Sequence, residues 1–355
     1  MSRYLILALI YMLFLQQLAS CYKFPIVINT WPFTNATKAA FHTIYDERKS
    51  YLDAIVAGCE RCEIDECDGT VGPEGDPDES GEVTLDAMIM DGKTMDVGSV
   101  GCLRNISSAI RVARAVMDYT DHTLLVGELA TNFAVEMGFK RTDISTGRAQ
   151  AVYQKWLKNH CQPNYRQNVS PDPRSNCGPY SPNPTNWFQT NPHHESRSNK
   201  GIGPTNHDTI GMVVIDTQGN IASGTTTNGL GNKIPGRVGD SPVVGAGSYA
   251  ENGKGGAAGT GDGDIMMRFL PAYSAVQMMG RGVDPMTAAS QVLKPITAHY
   301  PKFAGAIITI NSQGIFDISG RVRNTPLALP ASGAQDARYS LRLCLLSLFT
   351  IWTND

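Results

Sequence analysis

Charge is scarce in this sequence. Asp, Glu, Lys and Arg make up 18% of the 355 residues, against about a quarter in an ordinary soluble chain. The formal net charge is −3 and no basic stripe stands out, which argues against a dedicated nucleic-acid binder and fits a small polar substrate better than a polyanion. Metal signatures are also thin. Cys59-Glu60-Arg61-Cys62 resembles a redox CxxC or half of a zinc site. No second CxxC and no His pair lies at zinc-finger spacing, however, and His193-His194-Glu195 is not an HExxH motif. Gly259-Thr260-Gly261-Asp262-Gly263-Asp264 lacks both the GKS/GKT ending of a phosphate loop and the distal Glu of a calcium loop. Neither metal nor cofactor is expected. Long apolar runs are missing too: Tyr4 to Leu15 and the interrupted stretch Leu341 to Trp352 are each shorter than a bilayer span. No stable membrane insertion is expected.

Glycine, by contrast, is abundant, with 35 residues, which favours a compact, glycine-turned globular chain over disorder. The length suits one large domain or two ordinary ones. Met1-Ser2-Arg3, the apolar run and Ala19-Ser20-Cys21 read as a secretory signal over residues 1–21, cleaved after Cys21. The run is short for an uncleaved anchor. A secretory route makes disulfides plausible chemistry: Cys62 with Cys67, and Cys161 with Cys177, each sit in polar surroundings and can close small loops. Sequons at Asn35, Asn105 and Asn168 fit a glycosylated product.

Along the chain, Phe24 to Asn29 reads as a buried strand and 37–58 as one amphipathic helix. The stretch from Cys59 to Gly81 reads as a loop. Glu82 to Met90 and Lys93 to Val97 flank Asp91-Gly92 as a hairpin, and three helical patterns follow near 104–119, 127–138 and 142–160. Residues 161–207, rich in Pro, Asn, Ser and His, form a long surface loop or linker. Ile210 to Asp216 and Ile221 to Thr227 form a second hairpin. A glycine-rich region then leads to helices at 264–281 and 285–300, the latter broken at Lys294-Pro295. Ala304 to Asn311 and Ile315 to Ile318 are a last strand pair. This blockwise order indicates an α+β protein with largely antiparallel sheets, the linker dividing the sequence but not the core.

Three clusters beyond the linker can carry chemistry. Thr209 opens a strand, and a hairpin centred near Gln218 sets Thr227 opposite it, though a slip of one residue turns Thr227 away. A threonine freed at the Asp208–Thr209 bond would have a hydroxyl nucleophile and its own amine as base; otherwise it is an ordinary strand residue. Arg237 and Asp240, in a glycine loop, can hold the carboxylate and ammonium of a free amino acid, or make a local salt bridge. The glycine turn at 259–264 offers N–H groups to an oxyanion.

His207-Asp208-Thr209-Ile210-Gly211-Met212-Val213-Val214, Thr225-Thr226-Thr227-Asn228-Gly229, Gly236-Arg237-Val238-Gly239-Asp240-Ser241-Pro242 and Thr260-Gly261-Asp262-Gly263-Asp264 resemble, in order and spacing, the glycosylasparaginase family of N-terminal-nucleophile hydrolases. Asn29-Thr30-Trp31-Pro32-Phe33 and Cys67-Asp68-Gly69-Thr70-Val71-Gly72 match as well, and the similarity spans about 24–317. Thr70 stands where Ser is expected. The resemblance implies a four-layer αββα sandwich of two mainly antiparallel sheets in one structural domain. It further implies autocleavage between Asp208 and Thr209, giving an α chain (22–208) and a β chain from 209 that stay associated as an (αβ)2 heterotetramer. Its substrate would be a glycosylated asparagine and its destination the lysosome. Thr209 would be the nucleophile, Thr227 its support, and Thr260 with Gly261 the oxyanion hole. Arg237, Asp240, Trp31, Asp262 and Gly263 would bind substrate. The implied disulfides are Cys62–Cys67 and Cys161–Cys177, with Cys59 free. The tail, 319–355, departs from the pattern, so a central sheet is expected to lose an edge or inner strand. Two alternatives stay open: an isoaspartyl peptidase or L-asparaginase of the same fold, and a non-processed, inactive secreted glycoprotein.

Overall fold

A computed structural model describes residues 24–183, 209–322, 325–328 and 349–353. Strand β1 (Ile26–Thr30) leads into helices α1 (Thr34–Tyr45) and α2 (Tyr51–Asp65). Next come β2 (Thr84–Asp91), β3 (Val97–Arg104), α3 (Ala109–Tyr119), β4 (Leu124–Val126), α4 (Gly127–Glu136) and α5 (Gly147–Lys158). Two short strands, β5 (Val169–Ser170) and β6 (Ser181–Pro182), precede β7 (Ile210–Ile215), β8 (Ile221–Thr227), β9 (Ser248–Glu251) and β10 (Gly255–Gly261). The chain continues through α6 (Gly263–Met266), α7 (Pro271–Gly280), α8 (Pro285–His299), β11 (Gly305–Asn311), β12 (Phe316–Val322), β13 (Thr325–Ala328) and β14 (Phe349–Thr353).

One sheet has the strand order β14-β1-β7-β8-β2-β3-β4, antiparallel except between β3 and β4. A second, wholly antiparallel sheet runs β13-β12-β11-β10-β9. The protein is therefore α+β, as its blocks of strands and helices indicated.

Side chains alternate across a strand, so each sheet separates two cores. Val27, Ile210, Met212 and Val214 pack with Ala40, Ile55 and Ala113 of the helices α1 to α3. On the opposite face Ile26, Ile28, Val213 and Ile215 meet Ala258, Ile308 and Ile310 of the second sheet. Ala257 and Ile307 point away from that interface, toward Val276 and Leu293 of α7 and α8. Each fully buried aliphatic side chain contributes roughly 1.5–3 kcal/mol. The sheets approach closely at β7, where a Cβ on Gly211 would stand 2.8 Å from that of Ala258.

Several elements differ from the sequence reading. The single helix expected over 37–58 is two, because Ser50 and Asp53 form a reciprocal capping box that starts α2 afresh. That second helix runs on to Asp65, so Cys59 to Asp65 is not loop. Asp91 and Gly92 begin a wider turn, and the partner strand starts only at Val97. The glycine-rich region contains β9 and β10. The helix expected over 264–281 is divided into α6 and α7 by Leu270, which adopts a left-handed conformation (φ 49°). Pro295 does not break α8: Val292, Leu293 and Ile296 stay buried through it, and packing outweighs one lost N–H. The tail supplies strands instead of forfeiting them. β13 pairs with β12, and β14 pairs with β1 from Ile26↔Thr353 to Thr30↔Phe349. A ladder is made by backbone groups, so a divergent sequence can still occupy a sheet edge.

Candidate active site

The hairpin β7–β8 fixes the register Ile210↔Thr226, which sets Thr209 opposite Thr227. Both are buried, and Thr209 Oγ1 donates to Thr227 Oγ1 at 3.0 Å. Two further groups hold this pair. Thr30, the last residue of β1, donates from Oγ1 to the Thr209 carbonyl at 2.8 Å and accepts from Gly211 N–H at 2.9 Å. Gly229 N–H donates to Thr227 Oγ1 at 2.9 Å. Gly229 has φ +74°, and a side chain there would strike Arg237 Nη1 at 2.7 Å. Only glycine fits this turn.

Thr260 and Gly261 end β10, opposite Ala306 and Gly305 of β11. Trp31, just past β1 with φ 65°, donates from Nε1 to Thr260 Oγ1 at 3.0 Å, joining two predicted site residues that lie on different sheets. The buried Asp262 caps α6, its Oδ1 accepting from Ile265 N–H at 3.3 Å.

The charged groups converge beside these hydroxyls. Arg237 presents Nε and Nη2 to Asp264 at 3.3 and 3.0 Å. It makes no ion pair with Asp240, so the local salt bridge that was the alternative reading of this loop is not formed. A Cβ on Gly263 would stand 2.5 Å from Asp240 Oδ1 and 3.2 Å from Arg237 Nη2, so both border one small volume. Asp240 Oδ2 is buried without a hydrogen-bond partner. Burial pushes the Asp240 carboxyl up to about 7, against the pull of Arg237. Burial alone would lower Arg237, but Asp264, Asp86 and Asp240 outweigh it and raise its pKa. Asp86 is held by Cys102 N–H at 2.7 Å and Gly239 N–H at 3.3 Å.

Supports lie behind the strand. Cys62 bonds Cys67 and Cys161 bonds Cys177, while Cys59 is free and buried. The Cys62–Cys67 loop leads to Thr70, whose carbonyl accepts from Asn228 N–H at 2.9 Å. Thr226, facing away from Thr227, donates to Glu63 Oε1 at 2.7 Å, which also accepts from Ile110 N–H at 3.0 Å. Burial pushes Glu63 up to about 7, these two hydrogen bonds opposing it.

The structure thus gathers Thr209, Thr227, Arg237, Asp240, Gly263, Asp262, Thr260, Gly261 and Trp31 at one end of the two sheets. Asp208 lies outside the described residues, as do the signal segment and His193-His194-Glu195. Sequence reasoning gave no role to Thr30, Glu63, Asp86, Gly229, Lys233 or Asp264. Asp264, Gly229 and Thr30 stood inside quoted motifs, and Asp86 lies in Thr84-Leu85-Asp86-Ala87-Met88-Ile89-Met90-Asp91-Gly92, which resembles the family as well; Glu63 carried no local signal, because its partners are distant in sequence. A cavity of about 1230 Å³ opens against Arg237, Asp264, Arg268 and Tyr300; Thr209 does not line it. Among the described residues no group of three or more His, Cys, Asp or Glu is arranged to hold a metal ion, and no helix is long and apolar enough to cross a membrane.

Residues 17–334 match the model of the Asparaginase family. The chain is 54% identical over 292 residues to the rat N(4)-(beta-N-acetylglucosaminyl)-L-asparaginase, covering 82% of this chain and 83% of that protein. It is 52% identical to the mouse protein of the same name over the same shares.

Proposed function

The chain belongs to the asparaginase family, and on that premise we propose that it is an N4-(β-N-acetylglucosaminyl)-L-asparaginase, freeing aspartate from glycosylated asparagine. The observation that carries the reading is the contact of Thr209 with Thr227, 3.0 Å at the head of β7, beside the volume shared by Arg237 and Asp240.

In this reading the chain first cuts itself between Asp208 and Thr209. The α-amine so exposed, with an ordinary pKa of about 7.7–8.0, takes the proton of the Thr209 hydroxyl. Arg237 binds the substrate α-carboxylate and Asp240 its α-ammonium, which would give the bare Asp240 Oδ2 a partner. Gly263 supplies the room between them, Asp262 fixes the turn, and Trp31 orients Thr260. The Thr209 oxygen attacks the side-chain amide carbon, and the developing oxyanion is stabilised by Thr260 and Gly261. The C–N bond then breaks, the amine takes the proton and leaves with the sugar, and a β-aspartyl ester remains on Thr209. Water, activated by the same amine, hydrolyses that ester and restores the threonine.

The sequence of helices α1–α3, sheet, sheet, and helices α7–α8 supports a four-layer αββα arrangement. Residues 1–21 would be the signal, 22–208 the α chain with its linker from 161, 209–318 the β chain and 319–355 a divergent tail. The chains would remain together as an (αβ)2 heterotetramer, delivered through the secretory pathway to the lysosome. Substrate preference is tested by comparing kcat/KM for GlcNAc-asparagine with that for β-aspartyl dipeptides. A clear preference for GlcNAc-asparagine is expected. Preference for the dipeptides would reassign the protein as an isoaspartyl peptidase, and inactivity on both would overturn the enzymatic reading.

A further inference from the structure

Lys233 is 1% exposed, and among the described residues no carboxylate forms an ion pair with it. Asp86 and Asp78 act on it only at longer range, and an ammonium group is costly to bury, so its contacts need a reason. Its Nζ donates to two backbone carbonyls: a close contact with Asn228, and one at 3.4 Å with Thr84 at the start of β2. The Asn228 carbonyl shares its peptide unit with the Gly229 N–H, which donates to Thr227 Oγ1 at 2.9 Å. Thr227 Oγ1 in turn receives the hydroxyl of Thr209 at 3.0 Å. One unbroken series of hydrogen bonds therefore runs from Lys233 through a single peptide and Thr227 to Thr209.

We propose that Lys233 is a positioning residue for the nucleophile, acting through the Asn228–Gly229 peptide and Thr227; this rests on the reading of Thr209 as the nucleophile. Two physical effects work together. Donation to the carbonyl polarises the peptide and strengthens its N–H as a donor. The lysine also holds the carbonyl of this turn: Asn228 is fixed through its N–H to Thr70 and its Nδ2 to Gly72, each at 2.9 Å, and Lys233 Nζ takes the carbonyl of the same residue, next to the left-handed Gly229. With Gly229 N–H on one lone pair of Thr227, the other is directed to the Thr209 hydroxyl. Burial lowers the Lys233 pKa, opposed by Asp86. Both the charged and the neutral amine keep N–H donors for the two carbonyls, so the role survives either state.

A double-mutant cycle separates this role from simple scaffolding, because coupling is expected only along the series. Turnover of GlcNAc-asparagine is measured for the mature wild-type enzyme, Lys233→Met, Thr227→Val and the double variant. Lys233→Met is expected to lower kcat on the order of tenfold or more, since small misplacements at a reacting centre are costly, with KM nearly unchanged. In the Thr227→Val background the same substitution should cost little further. Equal losses in both backgrounds would overturn the proposal. If Lys233→Met slows maturation, the half-time of precursor cleavage enters the same cycle. If it fails to fold, Lys233→Gln takes its place; failure of both to fold assigns Lys233 to the scaffold and also overturns the proposal. Wild-type protein that neither matures nor turns over the substrate removes the reading of Thr209 itself, an outcome distinct from additivity in an active enzyme.

Discussion

The two halves of the site are built from opposite materials. Around Thr209 the contacts are between neutral groups on regular strands: Thr30, Thr209 and Thr227 are placed by the registers of β1, β7 and β8. Around Arg237 they are between charged groups brought from three segments of the chain: Asp86 on β2, Lys233 and Asp240 on the loop that carries Arg237, and Asp264 in α6, its carboxylate part-exposed. A neutral hydrogen bond contributes about 1 kcal/mol net, and its loss leaves the strand intact. Removing one partner of a buried ion pair costs about 3–5 kcal/mol, because the remaining charges lose their compensation. The hydroxyl half should therefore tolerate substitution structurally while losing chemistry. The charged half should lose binding and stability together.

Thr209→Ala gives the largest expected effect on this contrast. It should abolish both chain cleavage and hydrolysis, yet lower the melting temperature by only a few degrees. Retained hydrolysis would remove Thr209 from the mechanism. Arg237→Ala comes next. It removes the guanidinium that acts on Asp86, Asp240 and Asp264 and the grip on the substrate carboxylate, so kcat/KM should fall by about a hundredfold or more, corresponding to about 3 kcal/mol. A marked loss of thermal stability should accompany it. A variant with unchanged KM and melting temperature would erase the contrast between the halves.

How far this was legible in the sequence follows the same division. The Thr209–Thr227 pairing was readable because a short hairpin transmits register from one strand to the next, and side-chain direction repeats every second residue. Arg237 and Asp240 were readable as a substrate-shaped pair, but not the way they are held. The guanidinium takes its partner from Asp264, beyond two strands, a pairing that exists only in the folded chain. Likewise nothing local marks Glu63 as the acceptor of Thr226, because α2 reaches β8 only in the folded chain. The capping box at Ser50 and Asp53 was a local signal that separates α1 from α2. The strands of the tail were hidden for another reason: backbone pairing imposes little on side-chain identity.

pH sharpens the comparison with smaller effects. Burial pushes the Asp240 carboxyl up to about 7, and it must be ionised to hold an ammonium group. KM should therefore fall as pH rises from 5 to 7, by at most about tenfold per unit, and level off above 7. A flat KM over that range would reject the role of Asp240. Glu63 gives the smallest effect, on stability. Its folded pKa of about 7 exceeds the ordinary 4.5, so between those values the native state holds a proton that the unfolded state has lost. The contribution of Glu63 should be full below 4.5 and be lost as pH rises toward 7, with Asp240 acting in the same direction. Glu63→Gln should flatten part of that decline, by about 1–3 kcal/mol, in melting curves from pH 5 to 8. An unchanged slope would show that Glu63 is not its source.

The central claim is that Thr209 acts with its own freed amine. N-terminal sequencing of the mature, active protein tests it most directly. The expected result is two chains, one beginning Thr209-Ile210-Gly211. A single uncut chain that hydrolyses GlcNAc-asparagine, or an active enzyme whose new terminus lies elsewhere, would contradict it.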